Sequence, residues 1–340
     1  MANQKILEAV QTFKAGLHGT PMAQAQLLEA MSTSDFAPRL GAGFEIQMLD
    51  IWKETAKEWQ GIAKRVVVPD FRPIKLGTFL NGTDLLPVNE GEEYKAQGLT
   101  ESNVEIKAEK MGRRRQWTYE LEKARAFSIL ANIPRDFADA AVKAENTAAF
   151  KSLVDAKGAL NTSFFTGAAK PTNLPLNAAN LEEAYRSLAL RKGIDGVKTA
   201  DVSDLYLVVH PAQLFAANRI VNAETIEVTN GTVKTTEANP FRGLVKVIAP
   251  QTLANLGMDV NAWFLLPGSA SQNPALGIAF MQGEETPDIR VKNDQGFRVG
   301  GGNIAPEEGS YIDDTIDFRV RHIVGGTTLF NHAAYASAGK

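Results

Sequence analysis

The sequence contains no cysteine. Disulfides, thiolate metal sites and cysteine nucleophiles are therefore excluded. Histidine is scarce. His18, His210, His322 and His332 are the only four, and no two form an HxxxH or HExxH pair, so a zinc hydrolase would lack its ligands. No apolar run approaches the roughly 20 residues needed to cross a bilayer. Met1 to Val10 mix polar and apolar residues with the acidic Glu8, without the apolar core of a signal peptide. An excess of one charge is missing too: 36 basic and 39 acidic residues leave a formal net charge of −3. A protein that grips nucleic acid through a basic face shows a clear basic excess. The expectation is synthesis in the cytosol with no membrane partner.

The motifs that usually carry catalysis are incomplete. Gly268-Ser269-Ala270-Ser271 lacks the final glycine of a nucleophile elbow and follows Pro267, so it reads as a turn. Gly300-Gly301-Gly302 precedes Asn303-Ile304-Ala305-Pro306, whereas a phosphate-binding loop needs a Lys-Ser/Thr pair and a helix start. Carboxylates gather at Glu284-Glu285, Glu307-Glu308 and Asp313-Asp314 without partners spaced for acid–base or metal chemistry. No catalytic, cofactor-binding or metal-binding residue is expected. An α/β hydrolase or nuclease stays open only as a remote alternative.

What is present is a folded chain of 340 residues, 44% hydrophobic and 22% charged, with room for two modest domains. Ile6, Val10, Phe13 and Leu17 follow helical spacing, and Met22 to Met31 continue the pattern. After an interruption at Pro38, Gly41 and Gly43, a second helix is expected from Phe44 to Gln60. The period then changes. Val66-Val67-Val68 and Ile74–Leu76 are β-like, residues 77–101 are glycine-rich, and Val104, Ile106, Ala108 and Met111 alternate with charged residues toward Trp117 and Tyr119. A return strand of roughly eighteen residues would reach about 60 Å. An isolated hairpin is marginal in water, so this excursion requires a partner, and another copy of the chain is the economical one.

A helix is expected to start at Pro134 and run to Gly158, with alanines leaving one side flat for close packing on a sheet. Another follows from a cap at Asn180 to Gly193. Leu205–Val209, Leu244–Ile248, Ala262–Leu266, Ile278–Met281, Ile289–Lys292 and Thr315–Val324 read as strands, with a helix from Pro211 to Val221. In the last strand Ile316, Phe318 and Val320 share one face, while Asp317, Arg319 and Arg321 share the other. The whole is α+β, a mixed α/β chain without internal repeats.

One basic run exists, Arg113-Arg114-Arg115, flanked by Trp117 and Tyr119. Such a run can bind single-stranded nucleic acid. On a strand, however, Arg114 faces away from Arg113 and Arg115. The same excursion carries Glu90, Glu92 and Glu93. Pairing of these acids and arginines between subunits is the better reading, and all six are candidate interface residues.

The order of these elements resembles the Hong Kong 97-type major capsid proteins of tailed, double-stranded DNA bacteriophages. The resemblance rests on Asp70-Phe71-Arg72, Leu86-Pro87-Val88-Asn89-Glu90-Gly91-Glu92, Gly112-Arg113-Arg114, Ile133-Pro134-Arg135-Asp136 with Ala144-Glu145-Asn146, Tyr206-Leu207-Val208-Val209, Asn239-Pro240-Phe241-Arg242-Gly243, Ala262-Trp263-Phe264-Leu265 and Phe318-Arg319-Val320-Arg321-His322. It implies an amino-terminal helical arm at 1–71 and an extended β-hairpin E-loop at 72–119. It also implies a peripheral domain at 120–174 and 275–340, with a spine helix at 133–157, and an axial domain at 175–274. The implied function is a structural head subunit, not an enzyme. It would self-assemble into pentamers and hexamers of an icosahedral shell, built in the bacterial cytoplasm and ending in the virion. Its partners would be its own copies, a portal, scaffold or decoration proteins, and DNA held without sequence preference. An encapsulin-like nanocompartment is the alternative use of the same fold.

Overall fold

In the computed structural model the described residues are 36–76, 87–91, 93–94, 104–124, 127–192, 201–230, 233–271, 273–292, 294–297, 299–302, 304 and 309–340. Along the chain these form α1 (Phe36–Glu54), β1 (Ala63–Val68), β2 (Ile74–Leu76), β3 (Val104–Ile106), β4 (Glu109–Trp117), α2 (Tyr119–Lys123) and α3 (Phe127–Phe150). Then come α4 (Ala178–Leu190), β5 (Leu205–Val209), α5 (Leu214–Asn222), β6 (Thr225–Asn230), β7 (Val233–Ala238), β8 (Val245–Ile248), α6 (Gln251–Asn255) and β9 (Trp263–Pro267). β10 (Leu276–Met281), β11 (Asp288–Val291), β12 (Ile316–Thr328) and β13 (Tyr335–Ser337) complete the order. The chain divides into two compact units.

The first unit comprises Met1–Ala56, Lys110–Ala144 and Gly283–Ile323. Its core joins Phe44 and Met48 of α1, Trp117 of β4, and Leu130, Ile133 and Phe137 of α3 with Phe318 and Val320 of β12. The alternation read along β12 holds in part: Phe318 and Val320 are buried and Arg319 is exposed, but Asp317, expected on the polar face, is buried as well. β11 pairs with this part of β12 in antiparallel register, and β4 pairs with β12 as well.

The second unit comprises Lys57–Glu109, Glu145–Gln282 and Val324–Lys340. β1 runs parallel to β10, which pairs antiparallel with residues 324–328 of β12. A four-stranded sheet has the order β13-β9-β5-β8. Leu181, Ala184 and Leu188 of α4 and Ala217 and Val221 of α5 pack in one cluster with the β5 and β9 side chains Leu205, Leu207, Val209, Trp263 and Leu265. Asn239 explains one of the sequence motifs. Its amide donates to the carbonyls of Ile220, Val221 and Ala223, and its side-chain oxygen accepts from the Phe241 N–H. The last turn of α5, where carbonyls lack helical partners, is closed in this way.

Several boundaries differ from the sequence expectation. α1 begins at Phe36 and ends at Glu54, so Pro38, Gly41 and Gly43 lie inside the helix instead of interrupting it. Pro38 sits in the first turn, where an N–H has no helical acceptor anyway. The spine helix is Phe127–Phe150, not 133–157, and Pro134 is internal to it. Burial of Leu130 and Ile133 outweighs the hydrogen bond that proline cannot make. The helix stops before Asp155, whose carboxylate accepts from the N–H groups of Lys157 and Ala159 and forms a turn. α4 is capped by Asn177, whose side chain accepts from the Asn180 N–H, while the Asn180 amide donates to the Pro175 carbonyl.

The largest difference concerns the return limb. It is two strands, not one. β3 pairs with β2 at the root of the hairpin, whereas β4 pairs with β12. The hairpin β6–β7, with Asn230 opposite Val233, was not expected. The helical readings over 1–31 and the glycine-rich stretches 77–86 and 95–103 lie outside the described residues.

Candidate assembly surface

β4 lies close against β12 because residue 112 is glycine. A Cβ there would come 2.9 Å from the Val320 carbonyl oxygen. This approach sets the three arginines that follow. Strand alternation sends Arg113 and Arg115 one way and Arg114 the other. Arg115 donates to Asp136 of α3 through Nε at 2.7 Å and Nη2 at 3.2 Å, a two-pronged contact, and Arg113 Nη1 lies 3.5 Å from the same carboxylate. Arg114 Nε lies 3.0 Å from Oδ1 of the buried Asp317.

The predicted interface residues therefore have different surroundings. Arg113, Arg114 and Arg115 all find carboxylates within their own chain. Glu90 and Glu93 are exposed and have no ionic partner among the described residues. Glu92 lies outside the described residues. Sequence reasoning missed Asp136 and Asp317 as partners, because a helix residue and a distant strand residue carry no local mark of that proximity. It also missed Arg290, which stands opposite Arg319 in the β11–β12 register. The alternation that placed Arg319 on the polar face was the available signal.

Hydrogen bonding from Arg115 and the charges of Arg115, Arg113 and Lys143 hold the Asp136 carboxyl below the usual carboxylate range, although partial burial opposes this. A depressed carboxylate pKa stabilises the fold above the unfolded value near 3.8 and loses that contribution as pH falls through the folded value. Asp136 is 35% exposed, so solvent screens the pair. Asp136→Asn is expected to cost under about 1 kcal/mol at neutral pH. In urea denaturation, its difference from the parent chain should fade once the pH drops below about 4.

The loop between β11 and β12 presents Phe297, Val299, Tyr311 and Ile312, each well over half exposed. Among the described residues, no three His, Asp or Glu side chains are grouped to hold a metal ion, and no helix is long and apolar enough to cross a membrane.

Comparison with known proteins gives one strong match. A family profile described as phage capsid protein matches residues 101–337, which is more than half of the chain. No curated protein matches by sequence. Solved structures similar to this chain include the capsid of a native GTA particle, at 14% identity and a TM-score of 0.47, covering 81% of this chain and 87% of that one. Gordonia phage Cozz is similar at 16% identity and a TM-score of 0.45, covering 84% and 87%. A virus-like particle from Pyrococcus furiosus is similar at 11% identity and a TM-score of 0.43, covering 86% and 97%. These likenesses are too distant to add to the profile match, which spans β3 to β13 and takes in the arginine run, the spine helix, the second unit's core cluster and all of the first unit's except the α1 side chains. The chain belongs to the phage capsid protein family.

Proposed function

We propose that this capsid subunit builds an icosahedral shell of pentamers and hexamers around phage double-stranded DNA, without catalysing any reaction. The family match over residues 101–337 carries this reading. The amino-terminal arm of this reading is confined to the residues before α1, because Phe44 and Met48 of α1 and the whole of β1 are built into the chain's own core and sheet. The E-loop has its root at the β2–β3 pair, and β4 anchors its return limb to the closing strand β12. Residues 120–174 and 275–340 form the peripheral domain on the spine helix, and 175–274 form the axial domain. A portal fills one vertex, and separate scaffold or decoration proteins attach to the shell. Apolar surface buried between copies, at about 25 cal/mol per Å² before association costs, drives assembly.

Deleting residues 80–100 separates folding from assembly. The root strands β2 and β3 lie outside the deletion, so the subunit is expected to keep its far-ultraviolet dichroism and cooperative unfolding while failing to build stable particles. Normal particles from the deletion would overturn the E-loop assignment.

A further inference from the structure

A cleft of about 460 Å³ opens in the second unit between β3, the loop at residues 161–164 and the end of β12. Its lining contains one ionisable side chain, Glu105, and no lysine or arginine. Glu105 is exposed and has no ionic partner among the described residues; Lys75, opposite it on β2, is not part of the lining. Asn331 lines the cleft as well. Its amide nitrogen donates to the Phe164 carbonyl and to the Thr166 hydroxyl, both at 3.1 Å. A carbonyl can only accept, which fixes the orientation of this amide and leaves its oxygen uncommitted among the described residues. The hydroxyls of Ser163 and Thr328, also in the lining, are uncommitted in the same sense. The cleft thus offers a carboxylate, a carboxamide oxygen and two hydroxyls beside the apolar side chains of Phe164 and Phe330. An anion would find no charged donor there and would meet Glu105. The matching ligand is rich in N–H donors, positive at one end and aliphatic along the rest.

We propose that this cleft binds a primary alkylammonium group. Its three N–H donors are taken by the Glu105 carboxylate, the Asn331 amide oxygen and a hydroxyl of Ser163 or Thr328, and its methylene chain lies along the two phenylalanines. The volume exceeds that of one ammonium and matches the lower range of small-molecule clefts, so a chain of several methylenes is accommodated. The inference goes beyond the shell-forming reading and does not depend on it. A free aliphatic diamine and a lysine side chain of another polypeptide carry the same group, and the test has an arm for each.

Saturation-transfer NMR on the full chain, assembled or not, measures binding of diaminobutane as the free-amine probe and of acetyl-lysine methylamide as the lysine probe, with butanol as the neutral control. Diaminobutane is expected to saturate a site that butanol does not. Glu105→Gln removes the one charge in the lining and is expected to weaken that binding at least about fivefold. Ser163→Asp adds a second carboxylate at an exposed position and is expected to tighten it by about the same factor. Tighter binding of diaminobutane than of the capped lysine assigns the cleft to a free amine; the reverse order assigns it to a protein lysine. Equal binding of diaminobutane to the parent chain and to Glu105→Gln would mean only a diffuse counter-ion atmosphere and would overturn the proposal. Binding of butanol as strong as that of the amines, or no binding of either amine, would overturn it as well.

Discussion

Replacing Gly326 with alanine is expected to cost about 3 kcal/mol or more, enough to remove much of a typical domain's stability. Gly325 and Gly326 are consecutive on β12, so they face opposite sides of the strand. On one side, a Cβ at Gly326 would lie 1.9 Å from the Ala148 carbonyl oxygen and 2.4 Å from its carbon. On the other, a Cβ at Gly325 would lie 1.9 Å from the Lys107 carbonyl oxygen. Both obstacles are backbone, which cannot rotate away as a side chain does. Relief requires the strand to leave its partners, and Gly326 is paired with Ile278 of β10. Urea denaturation of Gly326→Ala should show a large fall in midpoint, or the protein should be recovered only as aggregate. Gly300→Ala is the control. It has open space around its Cβ position, so a change within about 0.5 kcal/mol is expected.

The second large effect is expected at Glu145. This side chain is fully buried in the spine helix and accepts a 3.0 Å hydrogen bond from the Trp59 indole N–H. The next residue, Asn146, accepts from the Glu58 N–H at 3.0 Å, and the Glu58 carboxylate accepts from the N–H groups of Gln251 and Thr252. One helical turn therefore pins the segment after α1, and that segment in turn caps α6. Burial pushes the Lys57 amine down in pKa, and the Glu145 charge works against that shift. Glu145→Ala would open a cavity and strand the buried indole N–H, at a cost of about 2–4 kcal/mol. Glu145→Gln keeps an acceptor for the indole and is expected to cost less than half as much. Denaturant midpoints of the two variants, compared at one pH, check the order; equal losses would mean that charge and not hydrogen bonding dominates.

Local pattern was legible where burial enforces it. Phe318 and Val320 against Arg319, the apolar run Leu205–Val209, and the flat alanine side of the spine helix all followed from periodicity. The alanines do allow close packing, since the Ala148 backbone meets Gly326. Pairing partners were not legible. Period-two alternation tells which face of β4 is polar but not that its neighbour is β12, roughly two hundred residues away in sequence. The same limit hid Asp136 from Arg113 and Arg115, so arginines read as waiting for another subunit are already engaged. Pro134 misled for a different reason: a first-turn preference is weak beside the burial of Leu130 and Ile133. The β6–β7 hairpin carried a usable signal, Asn230-Gly231 after alternating Ile226 and Val228, which polar composition masked.

The resemblance to capsid proteins and the family match converge on assembly, and assembly can be seen directly. Electron microscopy of the purified full-length chain over a range of salt and concentration is the most direct measurement. Closed particles of uniform size are the predicted result. A chain that stays monomeric under every condition would contradict the account.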